Sequence, residues 1–402
     1  MRIFVETNNR DVARIILMTD FTEIYANELM KGIVRYCRDH RPWSLYKFPK
    51  SNIGTSGIES VVDFAVRWNA DAIIGQFREG DDLSLFREKG IIAISQDHDA
   101  RFQDVCNIIG EHTEVGRKCA DYFIKRGYKN FAFYGREGKV WSDERREGYR
   151  REIMSRVPGA HFASRNCIEE DEGCWFDVDN LTQWLKELPK PVALLACNDS
   201  AAYQVIQACS LDGSDQLSIP ARISVLGVDN DETVCLPCHP QLSSLSRNVE
   251  QVGFEAAKLI DSLLQLPPDE RFKKKPDDLV TLCTDICTRN STDAFLHDNK
   301  YVNSVLNYIE HNIDSDIQIN DIVASLPVSR RLLETVFKKE MGVSIYQFIL
   351  STRVERIKNL ILNGESARQA LSHIKVDTRT LSNLFRQSTG MTPLRFEKSV
   401  RR

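Results

Sequence analysis

Val192-Ala193-Leu194-Leu195-Ala196-Cys197-Asn198-Asp199 runs through six apolar residues and stops on an amide and a carboxylate. Ile223-Ser224-Val225-Leu226-Gly227-Val228-Asp229-Asn230 repeats the form. Between them, residues 201–209 carry apolar side chains at helical spacing. A short apolar run, a polar stop, a helix and a second run read as a βαβ unit, in which buried parallel strands are joined by a crossover helix. Ligands of such sheets collect outside the carboxyl ends of the strands, so the polar stops are where a site is expected.

Working outward, the same alternation covers most of the chain. Strand signals fall at 15–18, 72–75, 91–95 and 130–134, and amphipathic helices at 25–37, 115–126 and 252–264. The prediction is an α/β body of two lobes, with parallel sheets and helices on both faces. Its polar strand ends are Thr19-Asp20-Phe21, Asn198-Asp199 and Asp229-Asn230-Asp231. A sugar needs hydrogen-bonding groups for its hydroxyls and an aromatic plate for its ring. Trp141 and Arg145 follow the fourth strand, and Trp175 stands in a Gly-containing loop. Each has a plainer reading: Asp199 and Asp229 as helix caps, Trp175 as core.

The order of these features resembles the effector domain of LacI-type repressors and periplasmic sugar-binding proteins. The likeness rests on Ala196-Cys197-Asn198-Asp199, on the run from Ser218 to Asn230, on Arg145-x-x-Gly148-Tyr149, on Gly173-Cys174-Trp175 and on Gly253-Phe254-Glu255-Ala256-Ala257. It implies two lobes closing on a sugar, with Arg145, Asn198 and Asp229 bonding its hydroxyls and Trp175 stacking on it. Tyr25 and Trp141 are further candidates, and Asp199 serves the helix start. Glu111 departs from the pattern, standing where many members carry Asp-Asn.

Charge then separates the two ends of the chain. The whole has a formal net charge of −4, yet residues 299–402 hold 16 Lys and Arg against 10 Asp and Glu. A basic tail on an acidic body points to a polyanion. The tail reads as helical throughout. Residues 319–326 give a short helix, Pro327 breaks it, Ser329 caps the next, and Leu332, Leu333, Val336 and Phe337 are expected to face inward. This is a helix-turn-helix, whose second helix enters the major groove. The pattern returns at 367–374 and 379–386, the second helix capped by Asp377 or Thr378. Phe337 to Gly342 and Phe385 to Gly390 set the copies 48 residues apart. Between them residues 346–362 form one helix that holds the motifs at a fixed spacing, for successive major grooves roughly 34 Å apart.

Here the chain is similar to the AraC/XylS family, on Phe337-Lys338-Lys339-Glu340-Met341-Gly342, Arg353-Val354-Glu355-Arg356-Ile357-Lys358 and Phe385-Arg386-Gln387-Ser388-Thr389-Gly390-Met391-Thr392-Pro393. The turn of the second motif departs from it, lacking Gly-Phe near Ile374. Expected DNA contacts are Ser329, Arg330, Arg331 and Lys338 on the first motif and Thr378, Arg379 and Asn383 on the second. The domains are then 1–290 (effector), 291–299 (linker) and 300–402 (DNA-binding). A LacI-like body with an AraC-like tail resembles regulators of the xylose-operon type. That implies a pentose effector, D-xylose first, a homodimer on double-stranded operator DNA, contact with RNA polymerase, and activation rather than repression.

Other classes find less support. No Gly-rich phosphate loop, G-x-S-x-G or H-E-x-x-H occurs, so no enzyme is expected, and no cofactor. Cys235-Leu236-Pro237-Cys238 lacks a second pair for a metal, and the eleven cysteines read as free thiols of a reducing compartment. The first residues lack a secretory pattern and the longest apolar runs are too short for a bilayer, which predicts a cytoplasmic protein without a membrane partner.

Overall fold

A computed structural model describes residues 12–49, 57–167 and 178–400. Trp175 lies outside the described residues. The chain divides into two compact units.

The first unit comprises Met1–Glu114, Arg136–Arg145 and Asn248–Cys283. Its strands are β1 (Ala13–Thr19), β2 (Trp43–Pro49), β3 (Ala72–Gly75), β4 (Ile92–Gln96) and β5 (Cys106–Gly110), joined later by β11 (Leu279–Thr281). Helices α1 (Ile24–Asp39), α2 (Gly57–Arg67), α3 (Ser84–Glu88) and α9 (Val249–Leu264) cover them. The sheet runs β11-β5-β4-β3-β1-β2 and every pair in it is parallel. Burial alternates with period two. Ile15, Leu17, Ile74 and Ile94 pack on the side of α1 and α9, while Ile16, Met18, Ile73 and Ala93 pack with Val61 and Phe86 on the other. Both faces are thus dry, which is why the strands read as continuous apolar runs rather than alternating ones. Helices α1 and α9 meet through glycine: a Cβ on Gly253 would stand 2.0 Å from the Leu29 carbonyl, and one on Gly32 1.9 Å from that of Glu250.

The second unit comprises Val115–Gly135, Arg146–Arg247 and Thr284–Arg402. Helix α4 (His112–Lys125) leads into β6 (Asn130–Arg136), and α5 (Val140–Arg156) follows. Then come β7 (His161–Cys167), α6 (Val178–Glu187), β8 (Val192–Ala196), α7 (Asp199–Asp212), β9 (Ile223–Val228), α8 (Glu232–Cys235), β10 (Ser243–Arg247) and β12 (Cys283–Cys287). The sheet order β12-β10-β9-β8-β6-β7 repeats the winding of the first unit. In both, the order reverses beside the first strand, so the switch points lie at the ends of β1 and β3 and of β6 and β8.

The tail is helical: α10 (Lys300–Asn312), α11 (Ile319–Ala324), α12 (Arg330–Met341), α13 (Ile345–Leu362), α14 (Ala367–His373), α15 (Thr378–Thr389) and α16 (Pro393–Val400). Two apolar clusters organise it. Val302, Ile309, Ile322, Leu333, Phe337 and Ile349 form one; Val354, Ile357, Leu371, Leu381 and Phe385 form the other. Helix α13 contributes to both, and its 18 residues span about 27 Å. Leu332 corrects one expectation: it is 48% exposed and lies outside the core.

The segment read from sequence as a linker is packed into this unit. Asn290–Thr292 form a 3-10 turn in which Ser291 and Thr292 are fully buried. Ser291 Oγ donates to the Val225 carbonyl of β9 at 2.6 Å. The Leu296 amide donates to the Arg126 carbonyl at 2.7 Å, and Phe295 packs on the first tail cluster. The Arg126 guanidinium lies 3.6 Å from the Tyr122 ring centre and 4.7 Å from that of Phe295, and pairs with Glu310 of α10. Asp285 of β12 accepts from Arg356 at 3.0 Å and Asn359 at 2.8 Å, both on α13.

Candidate functional site

In the first unit, polar atoms are concentrated where the strands end. Thr19 closes β1 and donates to Gln96 Oε1 at 3.2 Å. Gln76 follows β3, Gln96 closes β4 and Asp97 follows it. All are buried, and among the described residues Gln76 Oε1, Gln96 Nε2 and Asp97 Oδ1 have no hydrogen-bond partner. A buried polar atom left unsatisfied costs about 1–3 kcal/mol, and three of them lie together at neighbouring strand ends. Asp97 Oδ2 accepts from Arg101 at 2.7 Å and lies 3.4 Å from His112 Nε2. Burial would raise the Asp97 carboxyl, but these two partners hold it below the ordinary range.

Arg145 is fully buried on the first turns of α5, its guanidinium 5.0 Å from the Trp141 ring centre. That places Trp141 and Arg145 together, four residues apart on one helix face. Tyr25, on the first turn of α1, packs against the apolar cluster of α1 and α9. The Glu111 carboxylate accepts from the Cys283 amide at 3.3 Å, tying the chain's return from β11.

In the second unit, Asn198 caps α7, its Oδ1 accepting from the Ala201 amide at 2.9 Å. Asp199 does not cap. It accepts from Ser244 Oγ at 2.5 Å and from the Asp231 amide at 2.7 Å, so it holds the loop after β9 against β10. Gly227 makes this possible: a Cβ there would stand 2.1 Å from Asp199 Oδ1. Asp229 accepts from Arg247 Nε at 2.7 Å, with both side chains nearly buried. Asp229 and Asn230 have φ of 105° and 54°, a left-handed backbone that side chains rarely adopt and that clusters at functional sites. Arg289 ties this loop to the tail junction: Nη2 donates to Asn230 Oδ1 at 2.9 Å and Nη1 to the Leu242 carbonyl at 2.8 Å.

Burial, and then the charge of Asp229, push the Asp199 carboxyl up to about 8. An unfolded aspartate titrates near 3.9. The folded state therefore binds the extra proton, and the associated stability is complete below about pH 4 and lost as pH rises through about 8. Asp199→Asn is expected to remove this component. Denaturant titrations at pH 5 and 8.5 check it, and an unchanged difference between the two pH values in the variant would reject it.

Sequence reading missed Gln76, Gln96, Asp97 and Arg247. The rule that found Asn198 and Asp229, a polar residue where a buried strand stops, also selects Gly75-Gln76 and Ser95-Gln96-Asp97. Arg247 ends the serine-rich strand Ser243–Arg247, which carries little apolar signal.

The two tail motifs share one register of caps and helix ends. Ser329 caps α12, accepting from the Leu332 amide at 3.3 Å, and Asp377 caps α15, accepting from the Thr380 amide at 2.8 Å. Both helices end on a left-handed glycine, Gly342 and Gly390. Arg330, Arg331, Lys338, Thr378, Arg379 and Asn383 are all exposed. Arg330 donates to Glu334 at 2.9 Å and to Asn320 of α11 at 3.3 Å.

Residues 120–292 match the periplasmic binding protein-like domain family. The xylose operon regulatory protein of Haemophilus influenzae is 25% identical over 400 residues, covering 95% of this chain and 97% of that one. That of Escherichia coli K12 is 23% identical over 366 residues, covering 87% of each. The chain is similar along nearly its whole length to xylose operon regulatory proteins. The solved structure of the xylose-binding transcription activator xylR shares its fold, with TM-score 0.55 and 21% identity over 96% of this chain and 98% of that chain. The likeness to these regulators therefore runs through the α/β units and the helical tail alike. Among the described residues, no helix is long and apolar enough to cross a membrane, and no group of three His, Cys, Asp or Glu could hold a metal.

Proposed function

We propose that this chain is a sugar-responsive, sequence-specific DNA-binding transcription regulator, with a pentose, D-xylose first, as its effector, and that it activates catabolic genes as a homodimer with RNA polymerase. The observation that carries the reading is whole-length similarity to xylose operon regulators, together with the two helix-turn-helix motifs. Arg145 and Trp141, with Gln76, Gln96 and Asp97, are the effector contacts of the first unit. Asp229 and Asn198 are those of the second, and Trp175 stacks on the ring. The chemistry asked of the protein is binding and a change of equilibrium, with no bond made or broken, so it is not an enzyme.

The tail docks on the same unit that holds Asp229. An effector that fixes the strained Asp229-Asn230 turn also bears on Arg289, and through it on the junction that leads to α10. Sugar and operator are then linked, and each must tighten the other by the same factor.

The test is a thermal-shift series on the full chain with D-xylose, other pentoses and hexoses, since a ligand of the folded state alone raises its melting point. A rise with D-xylose at the lowest concentration is expected. A rise with hexoses alone would replace the pentose assignment.

A further inference from the structure

We propose that the two recognition helices read unlike DNA subsites: Arg331 and Arg379 each take a guanine, while Leu332 meets a thymine methyl and Asn383 an adenine. This rests on the DNA-binding reading above.

The register decides which residues are compared. With the copies 48 residues apart, the caps Ser329 and Asp377 coincide, as do the buried pairs Leu333 with Leu381 and Phe337 with Phe385. The exposed face then aligns Arg331 with Arg379, Leu332 with Thr380, Thr335 with Asn383 and Lys338 with Arg386. Arg330 aligns with Thr378 and is drawn toward Glu334 and Asn320, so Arg331 is the arginine the two helices share. Arginine on the second residue of a helix lying in the groove reaches guanine O6 and N7.

One position further on, the faces differ chemically. On α12, Leu332 keeps half its surface in water, and the hydroxyl of the exposed Thr335 is engaged by the Arg331 carbonyl at 2.7 Å. Leu332 and Thr335 lie three residues apart on one face, an apolar step that suits the C5-methyl of thymine. On α15, the Thr380 hydroxyl is engaged by the cap, donating to Asp377 at 2.9 Å. Asn383 stands exposed one turn on, with the carboxamide that pairs bidentately with adenine N6 and N7.

The experiment uses the full chain with D-xylose and duplexes recovered from a randomised pool by the wild type. Every thymine in the recovered sequence is replaced singly by uracil, and every adenine by 7-deazaadenine. One uracil position is expected to weaken wild-type binding by about fourfold, the worth of one buried methyl, with no penalty in Leu332→Ala. One 7-deazaadenine position is expected to weaken it by about tenfold, with no penalty in Asn383→Ala. Both side chains are exposed, and unchanged melting temperatures of the variants keep the comparison clean. Position-specific penalties that persist in the variants overturn the assignment. A pool from which the wild type enriches no sequence overturns the DNA-binding reading itself, and the proposal with it.

Discussion

Arg145→Ala is expected to weaken sugar binding by about 2–4 kcal/mol, roughly 30-fold to 1000-fold in Kd. Arg145 is 1% exposed and its guanidinium sits against Trp141, so hydrogen bonds from it to a ligand hydroxyl would form where water competes little. Asp229→Ala should cost a similar amount for a second reason. It removes the carboxylate from the buried Arg247 and relaxes the left-handed turn that orders Asn230. Calorimetric titration with D-xylose measures both variants, with melting curves to show that each remains folded. Operator affinity without sugar should be unchanged. Wild-type sugar affinity in both folded variants would remove these two residues from the effector site.

Arg289→Ala is expected to abolish the coupling while sparing both binding events. Arg289 lies between the turn after β9 and the junction to the tail. It bonds Asn230, which adjoins Asp229, and the Leu242 carbonyl, and its own carbonyl accepts from Ser243 Oγ at 3.0 Å. The next residue begins the buried turn that leads to the tail. Couplings of this kind are about 1–3 kcal/mol, so wild-type operator affinity should rise about 5-fold to 150-fold with saturating sugar, and that of the variant by a factor near one. Operator titrations with and without sugar, and sugar titrations with and without operator, must give the same ratio. A wild-type ratio retained by the variant would route the coupling elsewhere.

The βαβ architecture was legible because its central strands are buried on both faces: 72–75 and 223–228 coincide with β3 and β9. Some strands that lie at edges or carry serines escaped. Trp43–Pro49 and His161–Cys167 close their sheets and alternate with polar residues, and Ser243–Arg247 has one aliphatic side chain. Helix-turn-helix spacing was legible for the opposite reason, since its caps, glycines and core positions are local. Leu332 misled because apolarity predicts burial only on average, and this leucine falls on the outer face of α12. Asn198 and Asp199 exchanged capping roles because either can serve by type. Only the register of α7 against β10 separates them. The partnerless atoms of Gln76, Gln96 and Asp97 depend on which neighbours are missing, something no linear pattern records.

The buried junction at Ser291–Phe295 bears on how such a protein can be cut and recombined. Ser291 and Thr292 belong to the packing of β9 and β10, whereas Phe295 belongs to the tail, so no residue there is neutral ground. A protease offered the native chain should find this seam closed. A chimera joined at 290 would withdraw the Ser291 hydroxyl from the Val225 carbonyl and leave that core open. Grafting a foreign DNA-binding tail onto this body therefore requires the donor to begin beyond His297, with Arg126 and Tyr122 kept to receive Phe295. The two halves of such a regulator would be inherited together with their seam, and drift in one would have to be answered by the other.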